Sequence, residues 1–190
     1  WAASDENQRS RWQTISYRGV VEDDGFSELS AQVYHELVFG LLDTGEFLID
    51  DISVIEDPNG ARVYRIQNSS FERDELGGPA GKWRVRGNHQ GIVVRDPGNS
   101  DNQVLHVSAS GVLEDRLNHA ETTFSDGASI QVGSEYEISF RAKWLAGSPQ
   151  LNTHLFFNHL PRTTILQVPR PNGTPGRQNS RFAFDSQQVP

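Results

Sequence analysis

The amino-acid sequence predicts an all-β sandwich of two sheets, and two observations carry this prediction. The first is strict alternation over residues 135–144, where Tyr136, Ile138, Phe140, Ala142 and Trp144 form one apolar row. A period of two is the pattern of a strand with one buried and one wet face. The second is the number of short strand-like runs separated by Gly, Asn, Asp and Pro clusters, which is typical of sandwiches.

The remaining elements follow the same logic along the chain. The other predicted strands are, in chain order, RWQTISYR, GEFLIDDISV, RVYRIQ, KWRVRG, GIVVR, QVLHVSA, QLNTHLFF and TTILQV. The run ELSAQVYHELVFGLL places Val33, Leu37 and Leu41 at helical spacing, but Val, Tyr and Phe favour strands. We therefore assign its second half to a strand.

Composition divides the chain and limits its function. Residues 1–10 are polar and predict a flexible N-terminus, residues 11–168 carry the strands, and residues 169–190, with four prolines, predict an extended arm. A net charge of −8 argues against non-specific nucleic-acid binding. The absence of cysteine excludes disulfides and thiolate sites. No apolar run approaches the roughly 18 residues of a membrane helix.

The stretch GEFLIDDISV carries two adjacent carboxylates in the middle of a predicted strand. Alternation places Asp50 between Leu48 and Ile52, on a row that we expect to face the core, and Asp51 on the opposite face. Burying an unpaired carboxylate costs several kcal/mol or more, so Asp50 needs a partner. An arginine such as Arg62 or Arg65, backbone amides and a metal ion are the alternatives.

Three segments together resemble jelly-roll carbohydrate-binding modules of the galactose-binding-like type. QNSSFERDELGGPAGKWRVRGNH is similar to their opening, N-G-x-F-E followed by a loop, a Trp and a Gly, with Ser69 at the usual Gly position. The matching residues are Asn68, Phe71, Glu72, Trp83 and Gly87. GSEYEISFRAKW resembles a middle strand, and GEFLIDDISV looks like a last strand ending in Asp-Asp-Ile.

In this resemblance the closing strand precedes the opening one, and two arrangements fit. The chain either holds the end of one module and most of the next, or forms one circularly permuted jelly roll. In the permuted form, residues 11–60 supply the closing strands and residues 62–168 the opening and middle strands. We favour the permuted form, because a partial module would leave open sheet edges and too small a core.

Most of the chain, and FRAKWLAGSPQLNTHLFFNHLPRTT above all, also resembles a region of large secreted planctomycete-type bacterial proteins. In those proteins the region accompanies lamin-tail and spore-coat-kinase-like domains. This resemblance implies an extracellular location, with neighbouring domains in a longer chain.

The jelly-roll resemblance also implies a structural Ca²⁺ near the joint of the first and last strands. Ca²⁺ takes about six to eight oxygen ligands, so clustered acids suit it. Asp50, Asp51 and Glu72 are the matching positions. The ion would fasten the two segments and have no catalytic part.

Polar residues on three predicted strands form a candidate sugar-binding face. The outward row comprises Arg84, Arg86, Arg141, Lys143, Asn152, His154 and Phe156. An apolar ring at Phe156 breaks the wet pattern and is suited to stacking on a pyranose, whereas Trp83 and Trp144 fall on apolar rows typical of the core. The alternative is a solvated sheet surface without a ligand.

No catalytic motif stands out. The six histidines lack metal-binding spacing, and no nucleophile elbow, phosphate loop or dinucleotide fingerprint is present. We therefore predict a non-catalytic module that binds polysaccharide or oligosaccharide. The alternatives are a structural or adhesive spacer and, less favoured, a metal-dependent polysaccharide-active enzyme.

Overall fold

The computed structural model describes residues 11–21, 35–111, 118–147, 150–156 and 165–167. Its strands are β1 (Gln13–Val20), β2 (Glu36–Leu41), β3 (Gly45–Glu56), β4 (Val63–Tyr64), β5 (Trp83–Val85), β6 (His89–Asp96), β7 (Asn99–Ala109), β8 (Ala120–Thr123), β9 (Glu135–Gly147), β10 (Gln150–Phe156) and β11 (Ile165–Gln167). A short 3-10 turn spans Ser125–Gly127. Within these ranges no helix has the length and apolar character needed to cross a membrane.

The strands form two antiparallel sheets, which confirms the predicted all-β sandwich. Sheet A has the order β1-β9-β3-β7-β6, with β4 beside β3, and sheet B has the order β11-β10-β2-β8-β5. Strands from the first 60 residues are direct neighbours of later strands in both sheets. The second half of ELSAQVYHELVFGLL is β2, as its composition predicts.

Aromatic side chains fill the space between the sheets. Phe39 of sheet B meets Phe140 of sheet A edge to face, with ring centroids 4.9 Å apart. Trp83 lies between Phe39 and Phe71, at 6.1 and 5.9 Å. Trp83 and Trp144 are 7% and 3% exposed, so both predicted core tryptophans are in the core. Each such ring removes about 150–250 Å² from water on folding, which stabilises the sandwich.

A β-bulge in β3 corrects the predicted placement of Asp50. The register between β3 and β9 shifts between Asp50 and Ser53, and Asp51 has a φ of 48°. Phe47 and Ile49 before the bulge and Ile52 after it all face the core. A bulge adds one residue to the strand, so the period-two phase changes there. Asp50 consequently lies on the outer face of sheet A, opposite Arg141 in the register, and not on the core row.

The segment expected to form an opening strand beside β3 has another structure. Within residues 66–72, Ile66 makes an isolated bridge to Phe124, and the amide of Ile52 donates to the carbonyl of Ser69 at 3.0 Å. Gly45–Glu56 is an internal strand with β7 and β9 as neighbours. The expected side-by-side pairing of residues 45–54 with residues 66–72 is therefore limited to that one contact.

Buried polar side chains tie the two sheets together. His89 at the start of β6 is 4% exposed, and its Nε2 accepts a hydrogen bond of 2.9 Å from the amide of Leu41 at the end of β2. Its Nδ1 lies 2.7 Å from the Asn88 side-chain oxygen, which fixes the neutral tautomer with the proton on Nδ1. Burial, followed by the charge of His119, lowers the pKa of His89 to about 4.

This geometry predicts a loss of stability in mild acid. Above pH 6.5, the ordinary pKa of histidine, His89 is neutral in the folded and unfolded states. Between that pH and the folded pKa of about 4, only the unfolded chain takes up the proton. The free energy of unfolding should therefore fall by about 3 kcal/mol across the window because of this group. Chemical denaturation at several pH values measures the effect.

The matched variant for this test is His89→Gln, whose amide oxygen can accept the same backbone hydrogen bond but does not titrate. Its stability should vary less with pH than that of the wild type. A constant difference in stability between the two proteins from pH 6.5 to 4, the ordinary and folded pKa values of His89, would contradict the assignment.

Candidate binding face on sheet B

The outer face of sheet B carries Arg84 and Arg86, two of the predicted sugar-binding residues. Leu37 and Phe39 of β2 face the core, so the alternate positions on this strand belong to the outer face. The antiparallel registers then align one row of residues across four neighbouring strands. From β10 to β5, this row is His154, Val38, Glu121 and Arg84.

Arg84 is the centre of an ionic network on this face. Its Nη2 donates to Glu36 Oε1 at 2.6 Å, and its Nε donates to Glu121 Oε1 at 2.8 Å. Arg86 Nη1 approaches the same oxygen of Glu121 at 3.3 Å, and His119 Nε2 lies 2.6 Å from the other oxygen. One guanidinium group thus holds two carboxylates side by side.

Burial is unequal within the network. The side chains of Glu36 and Glu121 are 5% and 2% exposed, whereas those of Arg84 and Arg86 are 58% and 43% exposed. The two glutamates are buried beneath the arginines, and the arginine side chains extend from them toward solvent. An arginine carries five N–H donors, so donors of both side chains remain available for a ligand.

The two carboxyl groups have opposite pKa shifts. Burial, reinforced by the charge of Glu121, raises the pKa of Glu36. Burial also acts to raise the pKa of Glu121, but the hydrogen bond to His119 and the charges of His119, Arg84 and Arg86 outweigh it, and the pKa is lowered. Glu36 therefore accepts a proton more readily than Glu121 does.

The pair does not have the geometry of a glycosidase. Catalytic carboxyl groups in those enzymes are about 5 to 9.5 Å apart, with the sugar between them. Here both carboxylates bind the same guanidinium group. Their burial also keeps a substrate from entering between them. The arrangement can hold the arginines in place and bind a ligand through them.

The structure separates two residues of the predicted face from the others. Arg141 and Lys143 belong to β9, which lies in sheet A, so they do not share a face with Arg84 and Arg86. The reason is topological, because alternation within a strand cannot tell which sheet the strand joins. Asn152, His154 and Phe156 belong to β10 of sheet B, but their side chains lie outside the described part of the chain.

The predicted calcium ligands have other partners in the structure. Asp50 is fully buried, with Oδ2 3.0 Å from the Asn102 amide nitrogen and 3.5 Å from Arg141 Nη1. The same Nη1 is 3.0 Å from Asp51 Oδ2, and Glu72 Oε1 accepts the backbone amide of Gln103 at 3.0 Å.

These partners do not fit a calcium site. The Arg141 guanidinium, which also stacks on Trp12 at 4.7 Å, supplies positive charge at the point where the ion would sit. Within the described residues, Asp50 Oδ1 has no hydrogen-bond partner, and these residues contain no group of three or more acids or histidines able to hold a metal. Burial raises the pKa of Asp50, so this carboxyl group binds a proton more readily than usual. A proton lowers the free-energy cost of burying an oxygen without a partner. Neither Arg62 nor Arg65 is the partner, since Arg62 donates to Pro58 and Arg65 pairs with Glu56.

Comparisons with protein-family models, curated proteins and solved structures find no match for this chain.

Sequence reasoning misses the acidic half of the network. Glu36, Glu121 and His119 lie in segments that carry no binding motif. The sequence does hold a pattern that could reveal the ionic network. In KWRVRG and NHAETT, charged residues of opposite sign alternate with apolar or small residues. Pairing of those two strands is needed before the charges can be matched.

Removing the central arginine should destabilise the fold. Arg84→Met leaves two buried carboxylates without their shared donor, so the free energy of unfolding should fall by about 2 to 4 kcal/mol. Adding Glu36→Gln should recover part of the loss, because an amide N–H can donate to Glu121. Denaturant melts of the single and double variants measure both effects, and a loss below about 0.5 kcal/mol for Arg84→Met would contradict the network.

Removing divalent cations should leave the melting temperature unchanged, because Arg141 already compensates Asp50 and Asp51. The measurement compares thermal melts of the full chain in EDTA and in calcium chloride. A lower melting temperature in EDTA, abolished by Asp50→Asn, would instead establish calcium as the partner of this strand.

Proposed function

We propose that this protein is a non-catalytic carbohydrate-binding module of a larger secreted bacterial protein, and that sheet B binds polysaccharide on its outer face. The observation that carries the proposal is the pair of exposed guanidinium groups, Arg84 and Arg86, held from below by buried glutamates. Fixed donors lose less conformational entropy on binding than free surface side chains do.

The chemistry of the face suits a sugar chain. Guanidinium N–H groups donate to hydroxyl and ring oxygens, and β10 runs on the far side of β2 from the arginines. In the sequence of this strand Phe156 follows the apolar Leu155, and we propose that its ring stacks on a pyranose. Arginines would favour polysaccharides that carry carboxylates, such as uronates.

The path of the chain supports a jelly-roll topology. The chain passes from β1 in sheet A to β2 in sheet B, back to β3, and across again to β5. Early strands pair with late ones in both sheets, β1 with β9 and β2 with β8. A jelly roll winds two sheets in this way. We propose a jelly roll in plain chain order in place of the permuted one, because β3 is an internal strand.

A structural or adhesive spacer is the competing function. It is favoured by the fact that the arginines also serve the buried acids, which is a sufficient reason for their presence. The two functions differ in one outcome, because a spacer has no affinity for glycans.

A glycan array followed by polysaccharide pull-down with the full chain tests the proposal. Arg86→Gln and Phe156→Ala should each weaken retention several-fold while the melting temperature stays nearly constant, since Arg86 is at the edge of the network. Arg73→Gln is the matched control, an exposed arginine on a loop outside the face. Absence of any glycan binding would support the spacer, and equal loss in the control would place the site elsewhere.

A further inference from the structure

A cleft of about 470 Å³ opens at one end of sheet A, on the other side of the molecule from the proposed sugar face. It is formed where the start of β3 and the start of β6 meet the ends of β7 and β9. Its volume falls within the range of small-ligand sites, about 300 to 1,000 Å³. The sheet A cleft contains none of the residues of the network on sheet B.

The side chains around the sheet A cleft are almost all uncharged hydrogen-bonding groups. The polar lining consists of Thr44, Glu46, Asn88, Gln90, Ser108 and Ser110. Three hydroxyls and two carboxamides both donate and accept, and one carboxylate accepts only. The lining therefore matches a ligand that offers donors and acceptors together.

The rest of the wall is made of residues with little or no side chain. Gly45, Ala109, Ala146 and Gly147 line the cleft between the polar groups. Gly147 has a φ of 75°, and a Cβ there would come within 2.3 Å of the Thr44 carbonyl oxygen. Only glycine fits this close approach of β9 to β3, so the strand ends leave open space where larger side chains would fill it.

Glu46 is the buried anchor of the sheet A cleft. Its side chain is 8% exposed, and Oε2 lies 2.8 Å from His106 Nε2. Oε1 makes no hydrogen bond to another described residue, although the side chain lines the cleft. A carboxylate oxygen that faces the cleft can accept a hydrogen bond, and a hydroxyl group of a ligand would donate one.

We propose that the sheet A cleft binds a neutral, hydroxyl-rich small molecule, such as a single sugar unit or a cyclic polyol. An anion is disfavoured because the one charged group of the lining is a carboxylate. A cation would meet a single carboxylate that already contacts His106, and an apolar ligand would form no hydrogen bonds with the polar lining. Vicinal hydroxyls satisfy the carboxylate, hydroxyls and carboxamides together. The site does not rest on sugar binding by sheet B.

The test is a titration of the full chain followed by amide ¹H–¹⁵N spectra. The neutral probes are galactose, glucose, mannose, rhamnose and inositol, each raised to about 50 mM because lone sugar units bind with millimolar Kd. At least one should shift the amides of Gly45, Ser108 and Gly147. The matching uronic acid or acidic analogue of that probe should bind at least about tenfold more weakly, since its carboxylate meets Glu46.

Two variants decide between binding and structural effects. Ser108→Leu fills the cleft without breaking a described hydrogen bond and should abolish the shifts, whereas Ser16→Leu on the outer face of β1 is the matched control. Glu46→Gln should weaken binding about tenfold. The inference is overturned if no neutral probe shifts these amides, if the uronic acid binds equally well, or if Ser108→Leu binds like the wild type. Shifts confined to Arg84 and Glu121 would overturn it and support the face on sheet B.

Discussion

The contact between Arg84 and two buried carboxylates is the interaction on which the polar face of sheet B depends. Glu36 and Glu121 come from neighbouring strands, and both lose most of their solvent. A buried ion pair contributes little net stability, yet losing one partner is costly. The network therefore restricts which residues the outer face of sheet B can carry on the adjacent strands β2, β8 and β5. It also explains why Arg84 and Arg86 rise from the sheet in defined positions.

Sheet A also buries a carboxylate on its outer face, and other residues compensate its charge. Asp50 is buried against Arg141 and Asn102, and the bulge at Asp51 turns it away from the core. The two outer faces thus each hold an arginine–carboxylate cluster, but they differ in exposure. Arg141 is 31% exposed and stacked on Trp12, so it covers the Asp50 carboxylate. The arginines of sheet B extend toward solvent instead. This difference is the reason to assign ligand binding to sheet B and a structural part to the Asp50 cluster.

Much of the fold follows from local pattern. Alternation in residues 135–144 identifies β9 and its five core residues, because a period of two needs no tertiary information. The same reasoning fails at Asp50, since a bulge is set by the pairing partner and leaves no mark in a single strand. It also groups Arg141 with Arg84 and Arg86, because sheet membership depends on chain crossings far apart in sequence. Glu36 and Glu121 were missed for that reason, and the sheet A cleft exists only once four strand ends are assembled.

We propose that polysaccharide contacts the guanidinium groups of Arg84 and Arg86 on sheet B. The most direct measurement is an NMR titration of the full chain with a polysaccharide it retains, following the side-chain Nε–H signals of the arginines. The account predicts shifts for Arg84 and Arg86 and none for Arg141, which lies on the opposite sheet. Binding that leaves Arg84 and Arg86 unshifted, or that shifts Arg141 alone, would contradict it.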